Sequence, residues 1–260
     1  MNFISLKSHG DFFIAQSLIY KFNLNVSSYT TNFNQDLNKN FLKSHINFIN
    51  YNKNIVPELF DVKKNKLLDV YKCIKYFRNK FSKKKFDIFF TYDNKFRYHL
   101  CGLNVNTIKR GNSNIYDDFK YFFEEYTNQK FQFNIAKKSK SDFISIFPSS
   151  RVKLKELDKI KLKKIVDFLN QNNKKVKIFI HKIHYSNFNQ LKKIISKSDK
   201  IICTDSLIKH IAQHKGIDHF CVYKSFNSEW ATPSIRHNGY YMEFNDINTH
   251  NMLALKKWIS

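Results

Sequence analysis

Apolar and polar residues follow one another along this chain in a strand-then-helix order that starts near the first residue. Residues 1–6 are mostly apolar, and residues 11–22 carry Phe12, Ile14 and Leu18 at the spacing of an amphipathic helix. A strand, a short turn and a helix in that order open a βα unit, which is typical of a parallel sheet. The beginning of the chain is therefore predicted to be α/β.

The next part of the chain shows fewer clear elements, apart from one basic helical segment. Residues 24–62 are rich in Asn, Ser and aromatic residues and indicate only short strands and loops. Within residues 63–85, apolar residues recur at helical spacing among many lysines, and Asp69 is the only acid. Residues 86–92 then predict a buried strand, and residues 115–126 predict a helix with an acidic face.

A second alternation of strands and helices begins near Asp142. Strands are predicted at 143–147, 176–180 and 200–203, and helices at 156–169, 187–196 and 252–259. This alternation favours a parallel sheet with helices on both faces. Because the polar run 137–141 separates it from the first half, the chain is predicted to form two α/β domains, 1–138 and 139–260.

Composition narrows the class of protein and its location. The chain has 260 residues with 42% hydrophobic residues, enough for a sizeable core. No apolar run approaches the roughly 18 to 20 residues that a membrane-spanning helix needs. The first residues lack the basic segment, apolar stretch and cleavage site of a signal peptide. A cytoplasmic location is therefore predicted.

The charge of the chain is strongly positive. With 45 Lys and Arg against 21 Asp and Glu, the net charge is +24, so long-range attraction to polyanions is unavoidable. The charge does not choose among nucleic acid, an anionic membrane and an acidic glycolipid. The abundance of Lys and Asn also fits a bias toward AT-rich codons, in which case part of the charge has no functional meaning.

The residues after strand 200–203 have the pattern of a phosphate site. Asp205 and Ser206 form a turn, and a short helix carrying His210 then ends at Gly216. Such a strand-turn-helix presents free backbone N–H groups and a positive helix end at the carboxyl edge of a parallel sheet. The alternatives are an ordinary helix cap at Asp205 and Ser206 and a packed core histidine at His210.

Two further turns carry candidate residues. Gly10 and Asp11 lie where the first strand passes into the first helix, so Asp11 can be a helix N-cap or a carboxylate acting as a general base. Ser149 and Ser150 follow strand 143–147, where their hydroxyl and N–H groups can face a diphosphate.

Neither metal binding nor disulfides are predicted. Two histidine pairs have a spacing that could ligate zinc, but no cysteine or carboxylate completes a recognisable set. The pairs are His181 with His184, and His210 with His214. The four cysteines show no C-x-x-C pairing and are interpreted as buried thiols.

Several of these motifs together resemble the ADP-heptose:lipopolysaccharide heptosyltransferase family, glycosyltransferase family 9. The family carries Asp-Thr/Ser-Gly-x-x-His-Leu where this chain has Asp205-Ser206-Leu207-Ile208-Lys209-His210-Ile211. Three further segments resemble the family in the same order along the chain: residues 6–11, residues 86–92, and residues 147–151 with Lys155.

The resemblance implies a fold and an activity. The fold would be GT-B, two Rossmann-like domains facing across a cleft, with residues 1–138 on the acceptor side and residues 139–260 binding the nucleotide sugar. The activity would be an inverting, metal-independent transfer of a sugar such as heptose from a nucleotide-diphosphate donor. The acceptor would be lipopolysaccharide or another cell-surface glycan, and no cofactor other than the donor is expected.

The resemblance also implies a place of work in the cell. The family acts at the cytoplasmic side of the bacterial inner membrane, so the enzyme would be peripheral at that face. Residues 63–85 would then hold it against anionic lipid or a phosphorylated glycolipid. No specific nucleic-acid partner is expected on this interpretation.

Residue roles follow from the positions that match. Asp11 would be the catalytic base, and Lys155, at the start of the predicted helix, would bind the donor phosphate, with Lys153 as the alternative. The remaining donor-binding residues would be Ser149, Ser150, Asp205, Ser206, Leu207 through its amide, and His210. Leu207 replaces the family glycine, so a Cβ and an isobutyl group occupy the corner where the phosphate would approach, and residues 223–233 lack the usual glycine-rich loop.

Two other functions fit the sequence. One is a basic nucleic-acid-binding α/β protein, supported by the charge and by aromatic residues interleaved with basic ones, as at 75–78 and 95–97. The other is a degenerate transferase that keeps the fold without turnover, since two glycine features are missing.

Overall fold

The computed structural model describes residues 2–4, 9–30, 32–42, 47–50, 71–72, 74–75, 78–79, 89–91, 99–100, 102, 106–108, 111, 114–248 and 252–260. The chain divides into two compact units. The first comprises Met1–Asn112 and Asp117–Gln129, and the second comprises Ser113–Tyr116 and Lys130–Ser260.

Among its described residues, the first unit contains a five-stranded parallel sheet with strand order β3-β2-β1-β4-β5. The strands are β1 (Asn2–Ile4), β2 (Ser27–Thr30), β3 (Asn47–Asn50), β4 (Phe89–Thr91) and β5 (Asn106–Thr107). Its helices with continuous described bounds are α1 (His9–Lys21), α2 (Asn32–Phe41) and α3 (Ile115–Thr127), and the first two residues of α3 belong to the second unit. Strands β2 and β3 lie on one side of the central strand β1, and β4 and β5 lie on the other side. The strand order therefore reverses between β1 and β4, while all strands stay parallel.

Helix α1 differs from its prediction. It begins at His9, so Asp11 lies in the first turn of the helix and not at the N-cap. Residues 12–19 are all buried, so the helix is enclosed on every side along this stretch and is not amphipathic. The one long polar side chain there, Gln16, donates a hydrogen bond to Ser28 Oγ at 2.8 Å. The helix is thus a core element of the first unit.

Two segments of the first half were only partly anticipated. The stretch 24–62, expected to hold short strands and loops, also contains helix α2. Most of the basic segment 63–85 lies outside the described residues. Those that are described, at 71–72, 74–75 and 78–79, are helical, and Arg78 donates through Nε to the Leu100 carbonyl at 3.0 Å.

The second unit also contains a five-stranded parallel sheet, with strand order β10-β9-β8-β6-β7. Its strands are β6 (Phe143–Phe147), β7 (Lys175–Ile178), β8 (Lys200–Thr204), β9 (Asp218–Tyr223) and β10 (Tyr241–Glu243). Its helices are α4 (Lys159–Gln171), α5 (Phe188–Ile195), α6 (Leu207–Lys215), α7 (Pro233–Asn238) and α8 (Leu253–Ile259). The predicted α/β class with parallel sheets is confirmed. In this sheet the strand order reverses between the neighbouring parallel strands β6 and β8.

The middle of this sheet is closed to solvent. Every residue of β8 and β9 is buried, which explains the continuous apolar runs in these strands. Cys203 and Cys221 are direct partners in the β8–β9 register, and both are free thiols with no exposed surface. Burial raises the pKa of the Cys203 thiol well above its ordinary value.

The start of helix α4 corrects the prediction for Lys155. Asp158 caps this helix by accepting a hydrogen bond from the Lys161 amide at 2.8 Å, so the helix begins at Lys159. Lys155 belongs instead to a separate 3-10 turn, Lys153–Lys155, that follows β6. It therefore precedes the helix by four residues and is not at its head.

Helix α8 is fastened to the sheet through one buried tryptophan. Trp258 has no exposed surface, and its ring lies 5.6 Å from that of Phe220. Its Nε1 donates to Asp218 Oδ1 at 2.7 Å, and the other oxygen of the same carboxylate accepts the Ser139 amide at 2.9 Å. The Lys200 ammonium lies 5.0 Å from the centre of the Trp258 ring. Asp218 thus joins α8 and the segment before β6 to strand β9.

The buried His219 has both ring nitrogens in hydrogen bonds, which fix its tautomer. His219 Nδ1 lies 2.8 Å from the Ile217 carbonyl oxygen, which can only accept, so Nδ1 carries the hydrogen. His219 Nε2 then accepts from the Thr232 hydroxyl at 2.8 Å, and Thr232 Oγ1 accepts the Ile235 amide at 3.3 Å. Burial lowers the pKa of His219 to about 4, so the ring is neutral at physiological pH.

We expect the free energy of unfolding to fall as the pH drops from about 6.5 toward 4. The folded pKa of His219 lies below its ordinary value of 6.5, so the unfolded chain binds more protons and acid favours unfolding. A shift of this pKa from 6.5 to about 4 corresponds to a loss of about 3 kcal/mol in the free energy of unfolding. His210, whose pKa is also lowered, adds to the effect in the same direction.

Urea unfolding followed by circular dichroism at several pH values between 7.5 and 4.5 measures this loss. His219→Gln should reduce the slope of the unfolding free energy against pH, whereas His237→Gln, at an exposed position, should leave it unchanged. A slope that is the same in wild type and His219→Gln would contradict the assignment.

Across the residues that the structure describes, no helix is both long enough and apolar enough to cross a membrane.

Candidate functional site

The candidate donor-binding residues of the second unit gather at one edge of its sheet. Ser149, Ser150 and Lys155 follow β6, while Asp205 and Ser206 follow β8. Because β6 and β8 are neighbouring parallel strands, the turns after them lie side by side at the carboxyl edge. In doubly wound sheets, ligands bind where the strand order reverses, and β6 and β8 flank that point.

Two contacts join these turns. Thr204 Oγ1, at the end of β8, donates to the Ser149 carbonyl at 3.3 Å. The Lys155 ammonium forms an ion pair with Asp205 Oδ2. The structure therefore brings together Lys155 and Asp205, as a shared site requires.

Asp205 has a second cationic partner, which sequence reasoning missed. The Lys209 ammonium pairs with the other carboxylate oxygen, Oδ1. The two lysines differ in exposure, since the Lys209 side chain is 1% exposed and the Lys155 side chain is 42% exposed. Asp205 thus lies between one buried and one accessible ammonium group.

The two lysines decide the charge of Asp205. Burial by itself raises the pKa of this carboxyl, but the nearby Lys209 and Lys155 ammonium groups outweigh burial and lower the pKa to about 2. Asp205 is therefore ionised throughout the physiological range. With two cations and one anion, the cluster carries a net positive charge beside the helix start.

Lys209 is further fixed by the segment that follows β9. Its ammonium donates to the Trp230 carbonyl at 2.8 Å and lies 5.1 Å from the centre of the Tyr223 ring. The only signal in the sequence was the four-residue spacing from Asp205, which places the two side chains on the same face around a helix start.

The start of helix α6 has the features of an anion site. Ser206 is its N-cap residue, and the first N–H groups of any helix lack an acceptor within the helix. The Ser206 hydroxyl is shielded from solvent and has no hydrogen-bond partner among the described residues. Leu207, which replaces the family glycine, is half-buried as the first helical residue, and its backbone amide faces no intrahelical acceptor. A role in donor binding for Ser206 and for the Leu207 amide stays a prediction.

Ser149 and Ser150 partly organise their own loop. Ser149 Oγ accepts the His181 amide at 3.1 Å, and Ser150 Oγ accepts the Val152 amide at 3.3 Å. Each hydroxyl can still donate its own proton to a ligand. The Ser150 amide, in contrast, donates to Glu156 Oε1 at 3.2 Å, so it is already engaged.

His210 lies in the core of the second unit. It is 6% exposed, and its Nδ1 is 2.7 Å from the Tyr116 hydroxyl. Burial and the Lys209 charge lower the pKa of His210 well below its ordinary value, so the ring is neutral. This is the arrangement of a packed histidine, and only Nε2 is left for another contact. A part in donor binding stays a prediction.

Asp11 belongs to the first unit. It lies in the first turn of α1, which follows the central strand β1, and its side chain is half-buried. In the first unit the strand order reverses beside β1, so Asp11 is at the end of the sheet where doubly wound folds bind ligands. The positive end of the helix dipole favours the ionised carboxylate there. Its assignment as a catalytic base stays a prediction.

His181 and His184, one of the two histidine pairs that have metal-ligand spacing, are engaged in other contacts. His184 Nδ1 accepts the Ile180 amide at 2.9 Å, and the ring of His181 lies 5.4 Å from that of Tyr185. Within the part of the chain that the structure describes, no three His, Cys, Asp or Glu side chains are grouped so as to hold a metal ion.

No protein-family model and no curated protein sequence matches this chain. Solved structures do. The chain is similar to the E. coli heptosyltransferase WaaC bound to ADP-2-deoxy-2-fluoro heptose, with a TM-score of 0.63 and 9% identity over 99% of this chain and 98% of that one. The same enzyme with ADP gives a TM-score of 0.64 at 9% identity, with the same coverage of both chains.

A glycosyl transferase of family 9 from Veillonella parvula is also similar, with a TM-score of 0.56 and 10% identity over 93% of this chain and 84% of that one. Identities this low establish a common fold and nothing finer. The predicted resemblance is thus confirmed at the level of the fold: this chain has the fold of the family 9 glycosyltransferases.

Proposed function

We propose that this chain is an inverting glycosyltransferase that moves a sugar of the heptose class from a nucleoside-diphosphate donor to a lipopolysaccharide or another cell-surface glycan. The observation that carries the proposal is the ion pair between Lys155 and Asp205 at the β6–β8 edge, beside the N-terminus of α6, where the Ser206 side chain makes no capping hydrogen bond. Structures with the same fold bind ADP and an ADP-heptose analogue.

The donor half of the reaction needs stabilisation of a leaving group. When the bond between the sugar and the diphosphate breaks, the nucleoside diphosphate leaves with an additional negative charge. That charge can be stabilised by the Lys155 ammonium, by a hydrogen bond from the Ser206 hydroxyl, and by the first N–H groups of α6. Because these groups are cationic or hydrogen-bond donors, we propose a reaction that uses no metal ion.

The acceptor half needs removal of a proton. The Asp11 carboxylate would take the proton from an acceptor hydroxyl while the oxygen of that hydroxyl attacks the anomeric carbon. Attack from the face opposite to the departing diphosphate inverts the configuration at that carbon. The sugar–oxygen bond forms as the sugar–phosphate bond breaks, and the proton ends on Asp11.

The charge of the chain supports a membrane-associated place of work. A net charge of +24 favours an anionic acceptor or an anionic lipid surface. We propose peripheral attachment at the inner face of the bacterial inner membrane, with segment 63–85 as the contact. Lys72 and Lys75, two described lysines of that segment, are helical and exposed.

Thermal-shift measurements with ADP, other nucleoside diphosphates and nucleotide sugars test the proposed donor. A ligand that binds only the native state raises its stability by about 2.7 kcal/mol at one hundred times its dissociation constant. Stabilisation by at least one nucleoside diphosphate is expected. If every nucleotide leaves the melting temperature unchanged while the protein is folded, the proposed function is wrong.

Lys155→Ala should weaken ADP binding by about tenfold or more, because a hydrogen bond from a charged group to phosphate contributes about 1.5 to 3 kcal/mol. Lys153→Ala is the matched control. Both residues lie in the same 3-10 turn, but the Lys155 ammonium is the one paired with Asp205. Titration calorimetry measures both variants, and a larger loss for Lys153→Ala would transfer the phosphate contact to Lys153.

A further inference from the structure

The Asp205 carboxylate has two lysine partners, and the two are not equivalent. Lys209 lies on α6, is 1% exposed, and also donates to the Trp230 carbonyl. Lys155 lies on the 3-10 turn after β6 and is 42% exposed. The first cation is held from several sides, whereas the second is open to solvent and to a ligand.

Lys209 neutralises the partly buried carboxylate of Asp205. The Asp205 side chain is 16% exposed, and a carboxylate this buried is costly without a cationic partner. If Lys155 were its one partner, moving Lys155 onto a diphosphate would leave a bare carboxylate next to new negative charge. With Lys209 in place, Asp205 stays paired when Lys155 leaves.

We propose that Lys209 is the permanent counter-ion of Asp205, and that it thereby frees Lys155 to exchange its ion pair with Asp205 for the donor diphosphate. This proposal rests on the proposed function, because it names how the donor half of that site is organised. Lys209 is a positioning residue: it acts through Asp205 and does not touch the donor itself.

The surroundings of Lys209 explain why it does not exchange as well. The segment after β9 holds the Trp230 carbonyl in place, because Asn114 Nδ2 donates to the Ser228 carbonyl at 2.6 Å and to the Ala231 carbonyl at 2.9 Å. Lys209 thus lies between two fixed acceptors. The same segment lacks the glycine-rich loop expected from the resemblance, so in this chain the turn is held by side chains of Asn114 and Lys209.

The first test measures ADP binding by calorimetry in wild type, Lys209→Met, Asp205→Asn and the double variant. ADP is the probe because it has the diphosphate but no transferred sugar. Lys209→Met should weaken ADP binding by about tenfold or more, since Lys155 is then retained by an otherwise unpaired carboxylate. Adding Asp205→Asn should restore the affinity to within about threefold of wild type. A Lys209 that is only structural would show no such rescue.

The second test needs no ligand. Acetylation of lysine amines, followed by mass spectrometry, reports how tightly each ammonium is held. Labelling of Lys155 should slow by about threefold or more in Lys209→Met and should accelerate in Asp205→Asn. Lys153, exposed in the same turn, is the internal control and should keep its rate. An unchanged Lys155 rate in folded Lys209→Met overturns the proposal.

A third comparison covers the case in which Lys209→Met does not fold. Asp205→Asn and the double variant should then bind ADP within about threefold of each other, because Lys209 acts only through Asp205. A tenfold weaker double variant would show that Lys209 reaches the diphosphate directly, which overturns the proposal. If wild type binds no nucleotide, the proposed function fails, while the labelling test still decides the exchange of Lys155.

Discussion

Replacing Asp11 by asparagine is expected to reduce the turnover number by about 10²-fold or more while leaving ADP binding nearly intact. Asparagine has the same shape as aspartate, but its amide cannot accept the proton that the acceptor hydroxyl must lose. An interaction needed only in the transition state lowers kcat without a matching loss of ground-state binding. Initial rates with a nucleotide sugar, together with calorimetry on ADP, measure the two effects separately.

A matched control is available in the same unit. Asp36→Asn makes the same chemical change on helix α2, where Asp36 is exposed and accepts a hydrogen bond from Asn40. It should leave the rate unchanged. Because Asp11 also lies in the first turn of α1, the melting temperature of Asp11→Asn must be checked for the loss of about 0.3 to 1 kcal/mol that removal of this charge can cause. An unchanged rate in Asp11→Asn would return Asp11 to a structural role at the helix start.

Truncating Trp258 to alanine should lower the free energy of unfolding of the second unit by about 3 to 5 kcal/mol, the usual cost of removing a large buried side chain. Trp258 has no exposed surface, and its Nε1 donates to the buried Asp218 carboxylate. Trp258→Phe keeps most of the packing and removes that donor, so a loss of about 1 to 3 kcal/mol is expected.

Urea unfolding followed by circular dichroism measures these losses. Leu253→Ala, on the same helix α8 at a position 72% exposed, is the control and should change stability by no more than about 0.5 kcal/mol. If Trp258→Ala costs no more than Leu253→Ala, then α8 does not contribute to the core as its contacts indicate.

Strand β8 of the second unit was predictable because its burial is complete. A strand covered on both faces has a continuous apolar run, as β8 has, and the glycine stop at Gly216 marks the end of the following helix through its left-handed φ of 69°. These signals are local, so they do not depend on knowing the rest of the fold.

The elements that the sequence did not predict have physical reasons too. Helix α2 buries Asn34 and Asn38 beside Leu37, so its inward face is partly polar. Phe33, Leu37 and Phe41 do recur at helical spacing, but seven polar residues surround them in a stretch that is rich in Asn throughout. The start of α4 was placed too early because Lys155 and Glu156 are compatible with a helix. The true start depends on the Asp158 side chain accepting a hydrogen bond from Lys161.

In the candidate site too, some residues were predictable from the local sequence and one was not. Lys155 and Asp205 were found because both follow strands at the carboxyl edge of a parallel sheet. Lys209 was not found, since a lysine is normally exposed and nothing near it in sequence indicates burial. Its environment comes from Trp230, a residue 21 positions away, which only the tertiary fold brings close.

The paired thiols in the middle of the second sheet provide a built-in reporter of local opening. A thiol must ionise before it reacts with an alkylating reagent, and neither Cys203 nor Cys221 has any surface that the reagent can reach. Their modification must therefore wait for a local opening that uncovers this part of the sheet. The alkylation rate at these two positions, resolved by peptide, then measures how often the core beneath the donor-side residues opens.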